Sequence, residues 1–321
     1  MQRIMVPLDG STFAEAALAT AFHLARLHGS TVHLVRVHQP ALPVAGPDGI
    51  ATYDPGLEEE LELKARRYLD ALLERIDPED RERAVTASLR GPAAESLSAY
   101  VRHEAIDLVI MTTHARGGAS RAWLGSVADE LVRHAPAPVI LLRPGREPAP
   151  APGTAPVFRR VLLPVDGGPA EERMAEHAVA VTAAPGVEYT LLRVVTTGGG
   201  TVRASLPRRG GDPGSRVQRA TVEATLGARA RELAARGLVV RPQVVVGDDA
   251  AEAILSYAAE HDFDLVAMAT RSRGGLERLL LGSVADRVLR GVQTTLLLWN
   301  PGQALDLVEA PGSAPGTQEP T

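Results

Sequence analysis

Two aspartates, each at the end of an apolar run, are the first candidates for chemistry in this chain. Asp9 lies in residues 4–10 (IMVPLDG), and Asp166 lies in the matching run at residues 161–167 (VLLPVDG). A carboxylate at the end of a buried strand can accept hydrogen bonds from a ribose hydroxyl or a base amino group, or join a metal ion through water. The structural alternative is an N-cap, because Asp commonly caps the helix that follows a strand.

A glycine-rich loop followed by a Gly-Ser pair is the second candidate, and it also occurs twice. Residues 112–118 read TTHARGG and are followed by LGSVAD at residues 124–129. Residues 269–275 read ATRSRGG and are followed by LGSVAD at residues 281–286. Backbone N–H groups, a hydroxyl and the positive end of a helix dipole together favour an anion such as phosphate.

Two arginines in these loops, Arg116 and Arg273, could add bidentate contacts to the same anion. The structural alternative is that Ser126 and Ser283 are ordinary helix N-caps and that the paired glycines only form a flexible turn.

All of these segments recur at one offset, which indicates a duplicated domain. Three pairs of anchor residues lie 157 residues apart: Asp9 and Asp166, Asp107 and Asp264, and Gly125 and Gly282. A period this long is a whole domain and not a solenoid repeat, and 321 residues suit two domains of ordinary size. Chemistry shared by the copies must come from residues that recur.

The elements that position these residues alternate between strand and helix. Continuous apolar runs such as residues 4–8 are typical of strands buried on both faces, and the segments between them have helical spacing, as in residues 11–27. We therefore predict parallel βαβ units and a doubly wound α/β sheet with helices on both faces in each copy. Residues 39–56, rich in Pro and Gly, are predicted as loop.

Composition limits the function classes. A net charge of −5 and a pI near 6.0 argue against a nucleic-acid partner. The chain has no cysteine, which excludes disulfides, thiolate nucleophiles and thiolate metal sites. The expectation is a cytoplasmic protein without a membrane partner, since neither a signal-like N-terminus nor an apolar run of roughly 18 residues occurs.

The expected domain organisation follows from the repeat and from two segments rich in Pro. We predict a first domain at residues 1–143, a Pro/Ala linker at 144–157, a second domain at 158–300 and a disordered tail at 301–321.

Together these motifs resemble the universal stress protein family, as a tandem two-domain member. The resemblance depends on the PxDGS strand end, the xTHxRGG loop and the ending LGSVADxxxRxxxxPV at residues 124–139. It implies in each copy an open five-stranded parallel sheet of order 3-2-1-4-5, Rossmann-like and similar to the adenine nucleotide alpha hydrolases. It also implies ATP, with or without Mg²⁺, as the bound cofactor.

The family's ATP loop has the pattern Gly, two residues, Gly, nine residues, then Gly-Ser or Gly-Thr. In this chain the terminal Gly-Ser is intact in both copies, but small residues replace both leading glycines: Thr112 and Ala115, and Ala269 and Ser272. A Cβ at these positions limits how closely a phosphate approaches.

The resemblance implies that the strand-end carboxylates contact ribose or adenine and that the second strand's backbone meets the adenine edge. The loop and the helix that follows it would face the phosphates. The implied cofactor-binding residues are Pro7, Asp9, Val37, Thr112, Ala115, Arg116, Gly118, Gly125, Ser126 and Val127 in copy one, and Pro164, Asp166, Val194, Ala269, Ser272, Arg273, Gly275, Gly282, Ser283 and Val284 in copy two.

Three functions remain open at this point. The first is a nucleotide-dependent switch in the stress response that binds ATP or a related adenine nucleotide. The second is a partner-binding stress scaffold with a degenerate pocket, and the third is a slow ATPase. No catalytic base or nucleophile is evident and no GxxxxGK[ST] motif occurs, so we do not expect an enzyme. We expect the copies to pair as an intramolecular pseudo-dimer through Val139–Leu142 and Thr295–Trp299, and full chains could pair again as a homodimer.

Overall fold

The structure is a computed structural model, and it describes most of the chain. The described residues are 1–40, 44–45, 51–52, 55–113, 125–143, 158–168, 170–182, 184, 186–196, 213–270 and 281–304. The expected linker at 144–157 and the expected disordered tail from residue 305 onward lie outside them.

The first domain alternates strands and helices. Its described elements are β1 (Arg3–Leu8), α1 (Thr12–Glu15), α2 (Ala17–His28), β2 (Thr31–His38), β3 (Val44–Ala45), β4 (Ala51–Thr52), α3 (Pro55–Arg75), α4 (Pro78–Arg81), β5 (Ala84–Arg90), α5 (Ala93–His103), β6 (Leu108–Thr112), α6 (Ser126–His134) and β7 (Val139–Leu142).

The second domain repeats this order. Its described elements are β8 (Arg160–Val165), α7 (Ala170–Thr182), β9 (Glu188–Thr196), α8 (Pro213–Ala235), β10 (Val239–Gly247), α9 (Ala250–Glu260), β11 (Leu265–Ala269), α10 (Ser283–Gly291), β12 (Thr295–Trp299) and α11 (Pro301–Ala304).

One ten-stranded sheet runs through both domains, in the order β10-β9-β8-β11-β12-β7-β6-β1-β2-β5. Within each half the neighbours are parallel and the local order is 3-2-1-4-5, which confirms the predicted fold class. The halves join where β7 and β12 pair antiparallel, with Ile140 opposite Leu297. The two domains therefore form an intramolecular pseudo-dimer through their last strands, as the sequence predicted.

Apolar layers cover both faces of the sheet. On one face the strands pack against α2, α3, α7 and α8, with residues such as Leu34 and Leu191 fully or almost fully buried. On the other face they pack against α5, α6, α9 and α10, through residues such as Val35 and Leu192. The central strands, such as β1, β6 and β12, are buried on both faces, and this explains their continuous apolar sequence.

Polar contacts reinforce the junction between the domains. The Arg133 guanidinium lies 3.9 Å from the Asp286 carboxylate of the other domain. The Asn300 side chain donates to the carbonyl of Arg133, and Arg143 donates to the carbonyl of Leu289. These contacts connect α6 and the end of β7 in one domain to α10 and the end of β12 in the other.

Three segments differ from the sequence prediction. The helix expected at residues 11–27 is divided at Ala16, whose N–H bonds three residues back to Phe13 and so tightens the chain between α1 and α2. The loop expected at residues 39–56 contains the short β3–β4 hairpin and the first residues of α3. The tail expected from residue 301 begins as the short helix α11. None of the described helices has the length and hydropathy of a membrane span.

Candidate functional site

The turn after β1 is held by Asp9. Its Oδ1 accepts hydrogen bonds from the Ser11 backbone N–H at 2.8 Å and from the Ser11 hydroxyl at 2.6 Å. The Ser11 hydroxyl oxygen in turn accepts from the Ala14 N–H at 3.1 Å, so Ser11 is the N-cap of α1. Gly10 has φ +89, a left-handed conformation that favours glycine. Asp9 thus supports the cap and is not the cap itself.

The same turn in the second domain brings two carboxyl groups together. Asp166 Oδ1 accepts from the Gly168 N–H at 2.9 Å, and Glu171 Oε1 accepts from the Gly167 N–H. Burial raises the pKa of Glu171, and a hydrogen bond with Asp166 raises it further. The carboxyl groups of Asp166 and Glu171 therefore lie side by side at the end of β8.

The N-cap residues of α6 and α10 are not the serines that the sequence offered as caps. The N-caps are Gly125 and Gly282, with extended backbone, and Ser126 and Ser283 are the first helical residues. The reading of these serines as N-caps is wrong. A glycine N-cap has no side-chain oxygen to accept from the first N–H groups of the helix, so these groups are available to an external anion.

A cavity of about 790 Å³ opens at the carboxyl ends of the strands of the second domain. This is the crevice where the crossovers change from one face of the sheet to the other, which is where doubly wound folds bind ligands. The cavity is lined by every predicted copy-two residue that the structure describes: Pro164, Asp166, Val194, Ala269, Gly282, Ser283 and Val284.

The corresponding first-domain residues occupy equivalent places. Pro7 lies in β1, Asp9 directly follows β1, and Val37 lies near the end of β2. Thr112 is the last residue of β6, and its hydroxyl donates to the Phe13 carbonyl at 3.1 Å. Gly125 is the N-cap of α6, and Ser126 and Val127 are its first residues. The remaining predicted residues lie outside the described part of the chain: Ala115, Arg116, Gly118, Ser272, Arg273 and Gly275.

Several cavity residues were missed by the sequence interpretation, namely Glu171, Met174, Arg193, Arg229 and Ile254. Arg193 carried a usable signal, because Arg36 stands 157 residues before it and both arginines directly precede a predicted adenine-edge valine. Glu171 and Arg229 carried no such signal, since the residues 157 positions before them are Ala14 and Leu72.

Within the described residues, no group of three or more His, Asp or Glu side chains could hold a metal ion. The donor set fits a nucleotide: carboxylates for hydroxyl or amino groups at one end, and the N-terminus of α10, which has no side-chain cap among the described residues, for phosphate at the other.

The fold and the cavity define a class: doubly wound α/β proteins, here two domains in tandem, with a ligand crevice at the topological switch point. The chain belongs to the universal stress protein family, whose sequence model matches residues 1–143 and 158–299. The resemblance seen in the motifs is thereby confirmed.

Tandem relatives match the chain over nearly its whole length. A universal stress protein of Mycobacterium tuberculosis strain H37Rv is 28% identical over 317 residues, which cover 92% of this chain and 94% of that protein. One of Mycolicibacterium smegmatis is 26% identical over 312 residues, covering 93% and 97%. The crystal structure of a universal stress protein from Archaeoglobus fulgidus has a TM-score of 0.68 at 18% identity, covering 93% of this chain and 98% of that chain, and shows the same fold.

Proposed function

We propose that this stress protein binds ATP or a related adenine nucleotide in the cavity of the second domain and acts in the cytoplasm as a nucleotide-dependent switch. The observation that carries the proposal is the meeting of Asp166, Val194 and residues 282–284 around one cavity of about 790 Å³. That volume lies within the range of roughly 300–1,000 Å³ typical of small-molecule sites.

Each part of a nucleotide has a matching group in this cavity. The phosphates would lie at the N-terminus of α10, where the N–H groups and the helix dipole favour negative charge. The ribose would lie against Asp166, because a carboxylate can accept from a ribose hydroxyl. The adenine edge would meet the backbone of Val194 near the end of β9.

A change at this cavity can reach the other domain through the junction. Asp286 lies in the first turn of α10, just beyond the proposed phosphate site, and its carboxylate faces Arg133 of α6. A ligand that shifts α10 would therefore alter a contact between the domains. This supports a role as a switch.

The experiment is a calorimetric titration of the purified chain with ATP and Mg²⁺, after mass spectrometry for nucleotide that co-purifies. We expect saturable binding that Asp166→Asn weakens about tenfold, as expected for losing one hydrogen bond to a charged group. Glu223→Gln, on the exposed side of α8, is the matched carboxylate control and should bind as the unchanged chain does.

Absence of binding up to millimolar ATP, with none co-purified, would overturn the proposal in favour of a partner-binding scaffold. Release of phosphate from bound ATP at a rate above that of the Gly282→Asp variant would instead identify a slow ATPase.

A further inference from the structure

The two domains differ in the polar groups at the turn that follows their first strands. In the first domain Asp9 is exposed, and its Oδ1 accepts from the N–H and the hydroxyl of Ser11. In the second domain, 157 residues on, Gly168 stands in the place of Ser11. Glu171 likewise stands in the place of Ala14. The second domain therefore lacks the hydroxyl donor at this turn and has a second carboxyl group instead.

The equivalence of these positions is supported by the next residue along each helix. Glu15 of α1 accepts from the Tyr68 hydroxyl of α3 at 2.9 Å, and Glu172 of α7 pairs with Arg229 of α8 at 3.3 Å. Each of these glutamates reaches the long helix of its own domain, and the two lie 157 positions apart. The residues that directly precede them are therefore equivalent as well.

Two neighbouring N–H groups of the second-domain turn bring the carboxyl groups together. The Gly168 N–H donates to Asp166 Oδ1 at 2.9 Å, and the Gly167 N–H donates to Glu171 Oε1. The two carboxyl groups are also hydrogen-bonded to each other. Two carboxylates cannot form such a bond, because each offers only acceptor oxygens. The pair of Asp166 and Glu171, which we call the carboxyl pair, therefore shares one proton.

The cation closest in effect to the carboxyl pair does not displace this proton. The positive charge of Arg193 on β9 favours the ionised form of Glu171, but burial and the neighbouring Asp166 favour the protonated form more strongly and raise the pKa of Glu171. The Arg193 guanidinium also donates to the Val165 carbonyl at 3.1 Å. It therefore divides its interaction between this carbonyl and the carboxyl pair.

The other charged side chain among the described cavity residues is Arg229 of α8. Its guanidinium lies 3.3 Å from the Glu172 carboxylate and 2.7 Å from that of Glu232, so two acids outside the carboxyl pair neutralise it. Among the described lining residues α10 contributes no ionisable side chain, only the positive end of its dipole at Gly282. Loss of the shared proton would therefore add one negative charge to the cavity.

We propose that the carboxyl pair makes the second-domain cavity a proton-linked nucleotide site, which binds an anionic nucleotide more tightly as the pH falls. This inference rests on the proposed function and adds its regulation. The protonated pair keeps one negative charge and still accepts from a ribose hydroxyl, whereas the fully ionised pair repels the phosphates. Because linkage is reciprocal, binding of the nucleotide takes up protons. The first domain has Ala14 in place of the second carboxyl group, so its binding should not depend on a shared proton.

The test is a calorimetric titration with ATP and Mg²⁺ from about pH 5 to pH 8, in two buffers of different ionisation enthalpy at each pH. The dependence of the measured enthalpy on the buffer gives the number of protons taken up. Because phosphate groups also titrate near pH 6, the unchanged chain is compared with Glu171→Gln under the same conditions. The Gln amide can donate to Asp166 without a titrating proton.

Between these pH values we expect the unchanged chain to lose about tenfold more affinity than Glu171→Gln, the order expected for one charge added roughly 10 Å from a phosphate at an effective dielectric constant near 20. The unchanged chain should also take up more protons per bound ATP. Glu176→Gln, on the exposed side of α7, is the matched control and should behave as the unchanged chain does. If a thermal melt shows that Glu171→Gln is unfolded, Glu171→Ala removes the pair with the residue that the first domain has.

The outcomes separate the two proposals. If ATP binds at no pH, the proposed function and the proton link both fail. If ATP binds, but the unchanged chain and Glu171→Gln have the same pH dependence and the same proton uptake, only the proton link fails. An affinity that rises with pH in the unchanged chain relative to the variant would also overturn it, because the pair would then bind the nucleotide in its fully ionised form.

Discussion

Replacing Gly282 by Asp tests the proposed phosphate site with little risk to the fold. Gly282 is the N-cap of α10, with φ −60 and ψ 145, a backbone conformation that any residue can adopt. Asp is a preferred N-cap residue, so Gly282→Asp should leave the stability equal or raise it by a few tenths of a kcal/mol. The Asp carboxylate would accept from the N–H groups that a phosphate needs.

The expected loss of ATP affinity in Gly282→Asp follows from the repulsion between the new carboxylate and the phosphate. A carboxylate about 4 Å from a phosphate charge costs roughly 4 kcal/mol at an effective dielectric constant near 20, which corresponds to about a thousandfold loss of affinity. Titration with ATP and Mg²⁺ measures this loss, and a thermal melt with no nucleotide checks that the fold is retained.

Gly282→Asn is the matched control, because Asn also caps helices and has the size of Asp without its charge. We expect Gly282→Asn to bind ATP with a much smaller loss. An Asn variant as impaired as the Asp variant would show that bulk and not charge blocks the site. Unchanged ATP binding in Gly282→Asp would refute the assignment of phosphate to the N-terminus of α10.

Three further predictions concern stability. Ile140→Ala should lower the free energy of unfolding by about 2–5 kcal/mol in urea denaturation, because Ile140 is fully buried at the β7–β12 junction, whereas Val85→Ala on the exposed edge strand should have little effect. Burial beside Trp299 lowers the pKa of His177 to about 4. As the pH falls, the unfolded chain therefore binds this proton before the folded chain does, so the free energy of unfolding should decrease from pH 6.5 toward pH 4. A His177→Gln variant whose free energy of unfolding decreases equally over that range would contradict this. Ser11→Ala should cost about 1 kcal/mol through loss of the α1 cap, and an unchanged melting temperature would contradict the capping role.

The architecture was predictable because buried parallel strands have continuous apolar sequence. The run at residues 4–8 is typical of a strand covered on both faces, and its repetition at residues 161–165 implied a second sheet of the same kind. The pairing of β7 with β12 was predicted as that of the last strands of the two copies, and it gives the edge of each strand a partner.

The details of the site were less predictable, because they depend on side-chain direction. Ser126 and Ser283 have the residue type of an N-cap, but the extended backbone that defines the cap falls one residue earlier, at glycine. The closeness of Glu171 to Asp166 depends on how α7 leaves its turn.

The junction of β7 with β12 also sets how the assembly responds to dilution. Strands on separate chains meet at a rate that depends on protein concentration, whereas these two strands belong to one chain and meet at a fixed effective concentration. Their pairing is thus a first-order equilibrium, and it stays the same however few copies of the protein are present. Two separate single-domain chains would lose this contact as their concentration fell, but the tandem chain keeps it.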